Sequence, residues 1–121
     1  HSRDERTAQW NGLLARFHHD LDWTGIEAAR DAMWQRQLHL FHVPFYYIEY
    51  GIAQLGALQI YNNSKQDTEK AIAAYRRALG YGGTRSLPDL FEAAEIKFDF
   101  GDATIGPLVQ TIRDDLSKLP A

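Results

Sequence analysis

Three side chains in one short stretch could do chemistry together. His39, Tyr46 and Tyr50 follow one another at offsets of 7 and 11 residues from the histidine. At about 100° per residue, those offsets place all three within about 40° of arc on one helix. An imidazole and two phenols on one side make a row of hydrogen-bond donors. Such a row could hold a peptide backbone or stabilise an oxyanion. The same spacing also fits a core helix whose Tyr tips reach the surface, and periodicity leaves both readings open. Buried Tyr hydroxyls and His nitrogens need partners, which makes them costly as pure packing. The segment His39–Gln54, which also holds Tyr47 and Pro44, is therefore expected to face a polar ligand.

Other candidates have plainer readings. His39 and His42 stand three apart, and His18, His19 and Asp20 are adjacent. Either group could touch a metal, but neither spacing specifies a tetrahedral site, and no metal site is expected within the chain. His18 and His19 read as solvated residues near a helix end. Glu49 could be a general base, or a hydrogen-bond acceptor on a buried helix. Arg76 and Arg77 could meet a peptide carboxylate, or form a solvated face. Trp10, Trp23 and Trp34 read as core or edge aromatics. No Gly-rich phosphate loop opens a helix after a strand, and no Ser or Cys nucleophile stands out.

The elements that must position these residues read as helical almost throughout, about six helices in a single all-α segment, 1–121. Ser2 to Glu5 has the spacing of a capping box, and a first helix runs through Trp10, Leu13, Leu14 and Phe17 to about Leu21. Thr24 to Glu27 repeats the capping signal, opening a second helix through Phe41. Pro44 disfavours helical backbone at Val43 and suits the first turn of a third helix, to about Tyr61. That helix is apolar nearly all round, which predicts a central, buried element. Ser64 is expected to cap a fourth helix, Lys65 to Leu79, with Ile72, Tyr75, Ala78 and Leu79 on its inner face and Gly80 at its end. Gly82 and Gly83 lie in a loop. A fifth helix starts at Ser86–Pro88. Phe98–Gly101 makes a turn, and Asp102 caps a last helix that turns Ile105, Leu108, Ile112 and Leu116 inward.

Composition bounds the classes. The chain has 121 residues, 45% hydrophobic and 24% charged, with a net charge of -3. That suits a soluble globular protein with a real core. It lacks the basic stripe that nucleic acid favours. No apolar run approaches the roughly 20 residues of a membrane span. There is no cysteine, which fits a cytoplasmic location. The first residue is His1, so the chain is expected to be processed or a piece of something longer.

The stretch from Trp34 to Gln59, with its Pro44-Phe45-Tyr46-Tyr47-Ile48-Glu49-Tyr50 core, resembles the C-terminal part of oligoendopeptidase F, in the thimet oligopeptidase family of zinc metallopeptidases. The likeness continues through Tyr75–Leu79, Gly82–Thr84, Leu87–Phe91 and Ile96–Phe100. The resemblance implies an all-helical, clam-like fold with a deep channel. It implies zinc on an H-E-x-x-H helix, with a Glu from a following helix as third ligand. A His-and-Tyr segment would contact substrate and the developing oxyanion. On that likeness His39 and Tyr50 carry the catalytic hydrogen bonds. Tyr46 or Tyr47 meets the peptide, and Gly82 and Gly83 approach it. This chain has no H-E-x-x-H. The expected reading is a C-terminal portion, left by proteolysis or deliberate truncation, whose partners are an oligopeptide and the upstream part of the same peptidase. The alternative is a non-enzymatic helical interaction module, because Ala71–Leu79 resembles the second helix of a tetratricopeptide unit.

Overall fold

Every regular element of the computed structural model, which describes residues 1–120, is helical, and no strand occurs among the described residues. In chain order α1 spans Arg3–Phe17, α2 Glu27–Ala32, α3 His39–His42, α4 Ile48–Gln66, α5 Thr68–Gly80, α6 Leu87–Ala93 and α7 Asp102–Leu116. Short 3-10 turns cover Met33–Arg36 and Gly82–Thr84. The fold is all-α, as expected. The described residues form two compact units, one ending at Tyr47 and one beginning at Ile48.

In the first unit the capping box forms as read. Glu5 N donates to Ser2 Oγ (3.2 Å) and Ser2 N donates to Glu5 Oε2 (2.7 Å). α1 stops at Phe17, short of the expected Leu21, because His18 leaves helical backbone and Leu21 N turns back to His18 O. His18, His19 and Asp20 offer no apolar face to hold another turn. Thr24 is not a helix cap. Its N–H and hydroxyl both donate to Asp22 Oδ1 (2.9 and 2.6 Å), so Asp22 closes the loop instead. The expected second helix is broken into α2, the 3-10 turn and α3. The tighter turn carries Trp34 to α1, where its Nε1 donates to Thr7 Oγ1 (3.2 Å). Asn11 Nδ2 donates to Asp31 Oδ1 (2.7 Å), a second tie between α1 and α2. Leu14 is the one buried apolar residue of α1.

Val43, before Pro44, is non-helical as expected (φ −138°, ψ 75°). Pro44 does not open the next helix, however. Phe45 takes φ +67°, a left-handed conformation that a right-handed helix cannot contain, and α4 begins only at Ile48.

In the second unit α4 packs against α5 and α7, and α5 against α6. α4 is not buried all round: only Gly56 and Gln59 are, and Ile48 is 67% exposed. The burial narrows to one stripe because the helix has neighbours on that side alone. Gly56 is needed there. A Cβ at this position would meet the Phe91 ring at 3.1 Å. α4 also runs on through Asn62, Asn63 and Ser64, which were expected to end it. Asn63 Nδ2 donates to Glu95 O (3.1 Å) and Asn62 Oδ1 accepts from Thr111 (3.2 Å), so these side chains serve tertiary contacts. Asp67, not Ser64, caps α5, accepting from Lys70 N (3.0 Å). α5 buries Ala71 and Ala74, while Ile72, Tyr75 and Leu79 stay exposed, contrary to the expected face. Small side chains let the two helices approach closely. The glycine in left-handed conformation after α5 is Gly82 (φ +53°); Gly80 is still helical.

Gln59 is the buried polar residue of the core. Its Nε2 donates to Lys97 O (2.9 Å), and Lys97 N donates to its Oε1 (2.8 Å). The irregular segment after α6 is thereby fastened to α4, with Ile96 buried beside it. Arg77 of α5 donates from Nε and Nη2 to Ala93 O (3.0 and 2.8 Å) and from Nη2 to Glu95 Oε1 (3.1 Å). It was read as a solvated or ligand-facing residue; it instead closes the end of α6. α6 starts where read, and Ser86 caps it by accepting from Asp89 N. Asp102 is the first residue of α7, not its cap: Asp99 receives Gly101 N (3.2 Å) and the Thr104 hydroxyl. Leu108 is buried, but Leu116 is exposed rather than inward. On the far side, Lys65 Nζ (2.6 Å) and the Tyr61 hydroxyl (2.8 Å) donate to Asp115 of α7.

Replacing Gln59 by Leu leaves both Lys97 backbone groups without partners. Urea unfolding is expected to show a loss of about 1–3 kcal/mol. Lys65, Tyr61 and Lys118 hold the Asp115 carboxyl well below the usual carboxylate range, and Lys70 and Arg77 do the same, less strongly, for Glu95. Because both are depressed on folding, their stabilisation is present above about pH 4 and fades as pH falls below it. Asp115→Asn is therefore expected to shrink the drop in melting temperature between neutral and acid pH, measured by circular dichroism.

Candidate functional site

His39 opens α3 and is half-buried, while the segment from Phe41 to Tyr50 is exposed. The chain turns after α3, with Val43 N bonded to His39 O and Tyr46 N to Val43 O. That turn brings the next two tyrosines back to the imidazole. Tyr46 stacks on it (ring centroids 6.1 Å apart, planes 9° apart). Tyr47 lies tilted against it (5.5 Å, 56°). His39 and Tyr46 are thus neighbours through a turn, not along one helix as the arc argument supposed. Both tyrosine rings flank His39.

Tyr50 lies in the first turn of α4, in the second unit, and is exposed. Glu49 beside it is exposed too, so it does not serve as an acceptor inside a core. Gly82 and Gly83 lie in the 3-10 turn after α5. Gly82 lines an apolar groove of about 430 Å³, with Gly56, Leu79 and Phe91 among its walls.

Among the described residues no three His, Cys, Asp or Glu side chains converge as metal ligands. His39 and His42, and His18 and His19, do not form a three-ligand zinc site. The described residues by themselves offer no ligand set that fits a resident zinc ion. No helix of the described residues is long and apolar enough to cross a membrane.

A further cleft was not legible as a site. It measures about 1,020 Å³, lies within the first unit, and is lined by Trp10, Leu13, Trp34, Leu40 and Phe41, with Arg6 at its side. Trp34 and Phe41 lie 6.0 Å apart, and the Arg6 guanidinium sits 5.9 Å over the Trp34 ring. Arg6 and Trp10 are four apart on α1, which puts them on one face. That spacing was the available signal, but the tryptophans read equally well as core. No family model, curated protein or solved structure matches the chain.

Phe45 combines left-handed backbone with a ring that is 97% exposed, so nothing it touches repays the strain. Phe45→Gly is expected to stabilise the chain by about 1 kcal/mol in chemical unfolding, because glycine adopts this backbone freely.

Proposed function

We propose that this chain is the substrate-side, C-terminal portion of a zinc oligoendopeptidase. Short peptides would be the substrates, and the zinc ligands would come from the upstream part of the same peptidase. The observation that supports this reading most is the grouping of the His39, Tyr46 and Tyr47 rings on an exposed segment. Three side chains that can donate hydrogen bonds then stand together, as contact with a peptide main chain or an oxyanion requires. The family resemblance gives Tyr50 the role of a further donor. The clam-like fold and the cytoplasmic location follow from the same reading.

Exposed apolar surface agrees with it. The chain exposes 9437 Å², against about 8,000 Å² for two separate compact bodies of these two lengths. Phe45, Ile48, Leu79 and Leu116 are all more than half exposed. On this reading the upstream part of the peptidase covers them. The alternative, a helical module that holds a peptide or partner helix, draws support from the α4–α5 pair and the apolar groove beside it.

The reading is tested in the polypeptide that joins this chain to its upstream region. His39→Ala and Tyr50→Phe are each expected to lower kcat about 10²–10³-fold there, with zinc content unchanged. The chain alone is expected to hydrolyse no peptide even with added zinc. Unchanged turnover in both variants, or zinc-dependent turnover by the chain alone, overturns the assignment.

A further inference from the structure

The cleft of the first unit has features that its own fold does not use. Its walls are apolar and aromatic, and its volume of about 1,020 Å³ is that of a ligand site rather than a packing gap. Arg6 borders it without an acceptor, and Trp10 in its wall carries a buried donor that has none. The Trp10 Nε1 is buried and has no hydrogen-bond partner. A buried indole N–H left so costs stability unless something fills the need. Arg6 rests on Trp34 and forms no ion pair among the described residues. The nearby Glu5 carboxylate does not neutralise it, being turned to the Ser2 N–H (2.7 Å) and to His1 Nδ1 (3.6 Å) in the helix cap.

Apolar walls with a spare cation call for a ligand that is apolar on one side and carries an anionic acceptor on the other. A peptide's C-terminal residue has that chemistry. Its side chain would enter among Leu13, Trp34, Leu40 and Phe41. Its carboxylate would pair with Arg6. The cleft is several times larger than one side chain, which favours a peptide end over a free amino-acid-sized acid. We propose that this cleft binds the C-terminal residue of a peptide, with an apolar or aromatic side chain and a free carboxylate. The proposal goes beyond the peptidase reading and does not depend on it, since it concerns binding within the first unit and is read without hydrolysis.

The test uses the whole chain and its tryptophan fluorescence, with Gly-Gly-Phe, its C-terminal amide and N-acetylphenylalanine as probes. The tripeptide acid is expected to bind at least tenfold more tightly than the amide, since the charge-assisted bond to Arg6 is lost in the latter. It should also bind more tightly than N-acetylphenylalanine. In Arg6→Gln, which changes an exposed side chain and should leave the far-ultraviolet dichroism intact, acid and amide should bind equally weakly. Equal binding of acid and amide to the wild-type chain, or no binding of the tripeptide at millimolar concentration, overturns the proposal. N-acetylphenylalanine binding as tightly as the tripeptide overturns the choice of a peptide end. An Arg6→Gln chain that still prefers the acid overturns the role of Arg6.

Discussion

The second unit hangs on one buried amide. Gln59 meets the N–H and C=O of Lys97 with its own C=O and N–H, as a neighbouring strand would. No strand exists among the described residues to satisfy that backbone. A peptide group packed against a helix needs partners, and the buried Gln59 amide supplies both where the segment after α6 lies against α4. Its position then fixes where Ile96 enters the core and where Phe98 meets Phe91 edge-on at 5.1 Å.

Around that fixed point the core is made of small surfaces. Ala71, Ala74, Ala94 and Gly56 let α4, α5 and α6 approach, while many large side chains of the same helices remain outside. This inverts the usual arrangement, in which the largest apolar residues are the most deeply placed. It leaves apolar faces on both units and gives polar ties, such as Lys65 with Asp115, a larger share in holding helices together.

Much of the fold was legible in the sequence where the deciding interaction is local. The capping box at Ser2, the helix start at Ser86–Pro88 and the break at Val43 depend on residues within four positions, and all formed as read. The failures lie where distant residues decide. Asn62 and Asn63 looked like a helix end because asparagine favours turns, yet Thr111 and Glu95 engage them and α4 continues. The inner face of α5 followed side-chain size, and the close approach to α4 selected alanines instead. At the candidate site, the residue types were visible but their geometry was not. Phe45 takes a backbone conformation that no propensity favours, and it is the turn there that brings Tyr46 and Tyr47 to His39.

The last carbonyl of α6, Ala93 O, is taken by Arg77, a side chain of the preceding helix, while the Leu90, Phe91 and Glu92 carbonyls accept from backbone N–H groups just beyond the helix. A helix of seven residues is too short to persist by itself in water. Its last carbonyl is satisfied only while α5 stands alongside. The two helices therefore cannot fray one at a time, and the amides of α6 should exchange with solvent in step with those at the end of α5. Loosening this corner would be a single event that releases the pair together.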